Sequence, residues 1–309
     1  MIICLGTTPA MSRSMTFDRL TIDDVNRATA VADYAAGKNV NVARVLTTLG
    51  EDAAAVGFLG GLRAGAMRAD LDDAGIAHVF LGVAAETRLC VTVIDRSTGT
   101  ATELIEEPAE VTAGDVELLL RYVSDSMAMA SLLVLSGSLA PGVPADFYRQ
   151  CVEIASAADV KSIVDAAGEP LSLAMQAQPF LVKPNRSELA RTLGLPIDTD
   201  QQLRDAIKEL IRRGPTWAVV TQGKAGAIVS NGNEFWHVPS PVIQPVSAIG
   251  SGDSFAAGLA AGLVRGDSVP DAAKLASACG AANALTDRAG HLSEEDVEQL
   301  ESQIIVTPM

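Results

Sequence analysis

Apolar and polar positions along this chain change period many times. Short, continuously apolar runs, such as Leu132-Leu133-Val134-Leu135 and Val219-Val220, alternate with longer segments whose apolar residues recur every three or four positions. The first kind suits strands buried on both faces, and the second suits amphipathic helices. Strands are predicted at 1–5, 52–58, 77–81, 132–135, 162–164, 180–182 and 219–221. Helices are predicted over 37–49, 62–74, 112–130, 144–158, 169–176, 186–193 and 199–213, with Gly214-Pro215 stopping the last. Strands 227–230 and 234–238 form a hairpin around Asn231-Gly232, and two closing helices span 254–264 and 271–285. This alternation predicts an α/β fold of three layers, α/β/α, with a mostly parallel central sheet.

Four extended pieces, 14–17, 26–34, 88–95 and 100–105, break the rhythm. Leu89, Val91 and Val93 alternate with polar positions, and Ser97-Thr98-Gly99 turns the chain back. They predict a small separate β-sheet, a lid made by insertions near 13–34 and 87–105, over the C-terminal edge of the main sheet. No linker or repeat interrupts the chain, so one domain over 1–309 is expected.

Composition narrows the partners. The chain has 309 residues, 48% hydrophobic, enough for a large core. Acidic residues outnumber basic ones 38 to 23, a net charge of −15, which counts against nucleic acid or an anionic membrane as a partner. A phosphate ligand would then need local Lys, Arg or a metal ion. Cys4, Cys90, Cys151 and Cys279 lie far apart, mostly in apolar runs, and read as reduced thiols of a cytoplasmic protein. No basic leader opens the chain and no apolar run reaches about 18 residues. His78, His237 and His291 have no partners at metal-ligand spacing.

The residues just past each strand collect glycines, hydroxyls, amides and lysines. They are Thr7, Thr8 and Ser12; Gly37-Lys38-Asn39-Val40-Asn41; Ser136-Gly137-Ser138; Asp165; Lys183-Pro184-Asn185 with Glu188; and Thr221-Gln222-Gly223-Lys224-Ala225-Gly226. No Walker A motif and no Gly-x-Gly-x-x-Gly after the first strand occur. Gly250-Ser251-Gly252-Asp253 stands at a helix start, where free backbone N–H groups favour an anion and two glycines let a phosphate approach. Asp253 there either caps the helix or accepts a proton from an attacking hydroxyl.

Four segments carry a resemblance that extends over essentially the whole chain. They are Gly37–Arg44, Ser136-Gly137-Ser138-Leu139-Ala140-Pro141-Gly142-Val143-Pro144, Lys183-Pro184-Asn185-Arg186-Ser187-Glu188 and Gly250–Phe255. With them the chain resembles the PfkB (ribokinase-like) carbohydrate kinases, in the branch containing 1-phosphofructokinase and tagatose-6-phosphate kinase. The resemblance implies an ATP- and Mg²⁺-dependent kinase of a phosphorylated ketohexose, and a β lid that forms a homodimer interface. It implies Asp253 as catalytic base and the amides of Gly250, Ser251 and Gly252 as an anion hole. Asn185 and Glu188 would organise Mg²⁺ through water. Lys183, Thr221, Gly223 and Gly226 would lie in the nucleotide-phosphate region, with Asn283 beside the adenine pocket. Gly37, Lys38 and Asn41 would hold the sugar, with Ser12 beside it, and Arg27, Arg88 and Ser138 the phosphate already on it.

Some positions depart from the branch. Ser12 stands where an Asp is usual, Asn39 replaces a glycine and is expected to add bulk near the sugar, and Ala140 replaces a proline. Ser251 stands where Ala is commonest. A kinase of an unphosphorylated sugar or nucleoside is therefore one alternative. A catalytically silent sugar-phosphate-binding protein is another.

Overall fold

The computed structural model describes all residues, 1–309. In chain order the strands are β1 (Ile2–Leu5), β2 (Ala10–Phe17), β3 (Ala30–Ala36), β4 (Ala53–Gly60), β5 (Ala77–Val83), β6 (Arg88–Asp95), β7 (Thr100–Ile105) and β8 (Leu132–Ser136). They continue with β9 (Ser162–Asp165), β10 (Leu181–Val182), β11 (Trp217–Thr221), β12 (Ala227–Ser230), β13 (Phe235–Val238) and β14 (Thr307–Pro308). The helices are α1 (Lys38–Thr48), α2 (Arg63–Asp73), α3 (Ala113–Ser126), α4 (Phe147–Ala157) and α5 (Gly168–Met175). After these come α6 (Arg186–Leu193), α7 (Asp200–Arg212), α8 (Ser251–Arg265), α9 (Val269–Ala284) and α10 (Glu294–Glu301).

Ten strands form the main sheet in the order β14-β13-β12-β11-β10-β9-β8-β1-β4-β5. From β11 to β5 all neighbours are parallel; β12, β13 and β14 add antiparallel at one edge. Alternate residues of each central strand serve opposite layers. Ile2 and Cys4 pack with α1, α8 and α9, whereas Ile3 and Leu5 pack with residues of α3 to α7. Each strand thus needs apolar residues at every position, the source of the unbroken runs. The α8–α9 contact is close because Gly258 has no side chain: a Cβ there would stand 2.7 Å from Ala276 Cα.

The second sheet has four strands in the order β3-β2-β6-β7. Ser12 pairs with Tyr34 and Cys90, and Ala10 with Arg88, so Ser12, Tyr34, Cys90 and Arg88 share one face. That face looks onto the main body, where Ser14 Oγ donates to Asp287 O at 3.3 Å and Ala289 N–H donates to Tyr34 OH at 3.2 Å. The outer face carries Met15, Val31, Val91, Val93 and Leu104 beside an Arg13–Asp33 ion pair.

Several boundaries differ from the sequence reading. The strand expected at 26–34 lies at Ala30–Ala36, because the Asn26 amide accepts from Thr21 N–H and donates to Thr21 O, closing an exposed loop. Helix α8 starts at Ser251, three residues earlier than expected, which puts Asp253 in its first turn. The sequence pattern predicts neither helix α10 nor strand β14. The first is a short, acid-rich helix capped by Ser293, and the second is two residues long and exists only by pairing with β13. No helix is long and apolar enough to cross a membrane.

Candidate active site

The main sheet changes direction at β1: the chain lays β4 and β5 on one side, then returns to place β8 on the other. Ligands of such sheets bind in the crevice at this switch point, outside the carboxyl ends of the strands. Thr7 and Thr8 cross it, each Oγ1 donating to Ser138 O at 3.3 Å. Thr7 Oγ1 also accepts from Ala140 N–H at 3.0 Å.

Asp165 ends β9 in this crevice and is almost fully buried, with a side chain 2% exposed. Its Oδ1 lies 3.2 Å from Lys183 Nζ and its Oδ2 3.8 Å from Lys38 Nζ. One carboxylate thus faces a lysine from each half of the crevice, Lys38 at the start of α1 and Lys183 just after β10. Asp165, then the nearby Asp253 and Glu188, hold the Lys38 ammonium well above its ordinary pKa against the effect of burial. The sequence flagged Asp165 only as a polar residue after an apolar strand; its pairing with two lysines is a tertiary fact.

Asp253 lies in the first turn of α8 and is buried. Asn41 Nδ2 donates to its Oδ2 at 2.7 Å. Burial pushes the carboxyl up to about 6; Lys38, the Asn41 hydrogen bond and Lys183 pull the other way, and Asp165 adds to the rise. Its side chain caps nothing, since Gly250 is the N-cap and makes no side-chain bond, which removes the capping alternative. Gly250 and Gly252 N–H take no backbone partner, while Ser251 N–H donates to Ala248 O at 3.2 Å. Gly250 has φ +82°, and a Cβ on it would stand 2.6 Å from Ala289 Cβ, so glycine is required there. Gly37 is equally constrained where β3 turns into α1: φ is +109° and a Cβ would meet Pro9 Cα at 2.7 Å.

On the far side of α8 a cavity of about 430 Å³ is lined by Thr221, Gly223, Gly226, Ser251, Gly252 and Phe255, among others. Pro241, Val242, Ile243 and Pro245 give it an apolar side, and Gly252 lies at its polar end. Ala281 and Ala284 line it, but Asn283 does not. The Asn283 amide is buried instead against the 249–254 segment, donating to Ile249 O at 2.8 Å and accepting from Ser254 Oγ and Gly290 N–H.

Asn185 and Glu188 form a capping box on α6: Asn185 Oδ1 accepts from Glu188 N–H and Glu188 Oε2 accepts from Asn185 N–H, both at 2.8 Å. No cluster of three or more His, Cys, Asp or Glu side chains has metal-holding geometry. Glu188 still acts on Lys38 through its charge, and one of its oxygens is outside the capping box. That donor set fits Mg²⁺ held mainly by water and nucleotide phosphates, with few protein ligands.

The remaining expected residues divide. Arg88 Nη2 donates to Thr8 O at 3.0 Å, and its Nε is buried without a partner, at the crevice edge. Ser12 is buried on the inward face of the small sheet. Ser138 lies at the crossing of Thr7 and Thr8. Arg27 is not brought to the crevice by any contact; it is exposed in the loop between β2 and β3. Asn39 departs from expectation: it points away from the crevice, Nδ2 donating to Val56 O at 2.9 Å, in a slot left open by Gly6 and Gly57. It adds no bulk near a sugar.

Comparison with known proteins agrees with this layout. The pfkB family carbohydrate kinase description matches residues 1–296. A tagatose-6-phosphate kinase of Staphylococcus epidermidis is 31% identical over 309 residues, covering 99% of each chain. The crystal structure of phosphofructokinase-2 from Escherichia coli in complex with fructose-6-phosphate superposes with a TM-score of 0.89 at 25% identity, over 98% of this chain and 97% of that one. Ribokinase of Arabidopsis thaliana, complexed with ribose and ATP, shares the fold alone, with a TM-score of 0.74 at 21% identity over 97% of each chain. With a switch-point crevice, a buried carboxylate at a glycine-rich helix start and a family match over residues 1–296, this chain belongs to the pfkB family of carbohydrate kinases and is an ATP-dependent sugar kinase of ribokinase-like fold.

Proposed function

We propose that this kinase transfers the γ-phosphoryl group of ATP to a hydroxyl of a ketohexose phosphate, the candidates being tagatose 6-phosphate, fructose 1-phosphate and fructose 6-phosphate. The observation that carries the reading is the buried Asp253 carboxylate, held by Asn41 from the acceptor side and placed one residue past Gly252 on the nucleotide side. Asp253 takes the proton of the attacking hydroxyl as the oxygen closes on phosphorus. The Gly250 and Gly252 N–H groups, with the α8 dipole, receive the charge on the transferring phosphoryl oxygens. Lys183 and Lys38, which share the single Asp165 carboxylate and so keep a net positive charge, flank that path. Glu188, with Asn185, would hold Mg²⁺ through water; when bound, the ion neutralises the β- and γ-phosphates.

The acceptor half rests on Ser12, Gly37, Lys38, Asn41, Arg88 and Ser138. Arg88, at the edge of the crevice, would pair with the phosphate already on the sugar, and the small sheet would act as a lid over it. A panel assay of ADP release tests the reading. One of the three ketohexose phosphates should be turned over with kcat/KM at least about 100-fold above fructose, tagatose, ribose and adenosine. The reverse preference overturns it.

The exposed Arg27 favours a second reading, a kinase of an unphosphorylated sugar, since within one chain it does not join Arg88. Arg88→Ala separates the two: KM for a phosphosugar should rise steeply, and KM for a neutral sugar should not. The apolar outer face of the small sheet supports a homodimer through the lids. Sedimentation of a Val91→Lys/Leu104→Lys double variant, expected to be a monomer if the wild type is a dimer, tests it.

A further inference from the structure

A second cavity, of about 310 Å³, lies behind α1 and outside the crevice. Arg44, Thr47 and Thr48 of α1 form one wall, Gly290 and His291 another, and Ile76 closes it below. No carboxylate lines it, in a chain whose acids outnumber its bases 38 to 23. The Arg44 side chain is only 8% exposed; Nη2 is taken by Ala35 O and Asp70, whereas Nη1 makes no hydrogen bond within the protein and is not closed off from solvent. A guanidinium edge with free N–H donors is a natural complement for an oxyanion. His291 Nδ1 lies 3.0 Å from Ala289 O. As donor there, Nδ1 leaves Nε2 as the free ring nitrogen.

Two levers meet in these walls. Arg44 Nη2 donates to Ala35 O at 3.0 Å and pairs with Asp70 at 2.7 Å, and Asp70 Oδ2 in turn accepts from Ala35 N–H at 3.0 Å. The Arg44–Asp70 pair therefore grips both backbone groups of Ala35, at the root of the lid strand β3. The Gly290–His291 wall is tied to the catalytic segment, because Gly290 N–H donates to Asn283 Oδ1 at 2.7 Å and Asn283 Nδ2 donates to Ile249 O at 2.8 Å. Tyr34 of β3 also stacks edge-on against His291, ring centroids 5.3 Å apart. A ligand here would touch the lid root and the anion-hole support together.

We propose that this cavity is a regulatory site for a small phosphate-bearing metabolite, read by Arg44 with the Thr47 hydroxyl and His291, and that its occupation changes acceptor affinity through the Ala35 clip. Coupling of this kind needs two sites and an element that both bias, here the lid root. The inference goes beyond the phosphoryl-transfer reading, and its first test does not depend on turnover.

That test uses the full chain and inorganic phosphate. The protein has only three histidines, so imidazole nitrogen–proton spectra are resolvable, and His291→Gln assigns the signal. Phosphate should shift His291 saturably and leave His237 unmoved. Arg44→Gln should abolish the shift. Because that variant also loosens the Ala35 clip, Thr47→Glu serves as the second variant: it keeps the clip and blocks the cavity with a negative charge. Phosphate should change the acceptor KM about 5-fold in the wild type and leave Thr47→Glu unresponsive. No saturable His291 shift by ~20 mM phosphate, well above a millimolar Kd, or a shift retained in Thr47→Glu, overturns the site. An equal KM change in both proteins assigns the effect to the active site and overturns the regulatory role.

Discussion

Asn41 and Asp253, 212 residues apart in the chain, are joined by a 2.7 Å hydrogen bond from the Asn41 amide to Asp253 Oδ2. The bond links the start of α1 to the start of α8. It leaves Asn41 Oδ1 buried without a partner, poised to accept a hydrogen bond from a sugar hydroxyl. In the proposed reaction, with Asp253 as base, the Asn41–Asp253 bond would hold the base in place.

Asn41→Ala should show this in a pH–rate profile. The wild-type kcat/KM should fall on the acid side near pH 6, where Asp253 takes up a proton. Removing the amide removes a bond that favours the ionised form, so the acid limb should move to higher pH. The plateau should fall by about 10-fold or more through misplacement of the base. An unmoved acid limb would show that the bond does not tune Asp253.

Asp253→Asn should separate catalysis from stability. Turnover should drop by about 10²–10⁴-fold. Stability at neutral pH should rise, because burial lifts this carboxyl from 3.8 to about 6 and its charged form opposes folding. Folded and unfolded states are both protonated below pH 4, so the penalty is absent there; it grows through the window from 4 to 6 and is complete above it. About two pKa units correspond to about 3 kcal/mol at most. Urea denaturation at pH 4 and pH 7.5 should show the variant's advantage at the higher pH alone.

Gly252→Ala tests the anion hole without disturbing the fold. A Cβ at Gly252 would have only Lys183 Nζ near it, at 4.0 Å, so the folded chain accommodates it. It would occupy the space through which a phosphate approaches the free N–H groups. Thermal stability should be unchanged or raised by up to ~1 kcal/mol, since alanine suits a helix better than glycine. At the same time kcat/KM for ATP should fall about 100-fold. An active variant would remove Gly252 from the reaction path.

Asn39→Gly should do the opposite. The Val56 carbonyl would keep its Gly6 N–H donor but lose the Asn39 one, and α1 would gain a glycine in its first turn, costing about 1 kcal/mol. The KM for the acceptor sugar should stay within about twofold, because the side chain points away from the crevice. A large KM change with intact stability would restore the sequence expectation for this position.

The strand runs, helix periods and glycine punctuation made the three-layer fold legible in the sequence, because a sheet covered on both faces must be apolar at every position. The pieces 88–95 and 100–105 were legible as strands through their period of two, and they coincide with β6 and β7. Gly250–Asp253 was legible as a helix start, and Gly250 is indeed the N-cap of α8 at a positive φ where glycine is required. The rest was decided by tertiary structure. β14 is a strand only because β13 offers an unpaired edge. Asn39 and Asn41 are two positions apart on one helix, yet one turns into the Gly6–Gly57 slot and the other onto Asp253, a difference set by what packs on each side of α1. Asp165 gained its two lysines, and Asn283 its hydrogen bond to Ile249 O, from contacts between segments far apart in the chain. Local pattern reports what each segment must bury, but the partner of a buried polar group is chosen only when the segments meet.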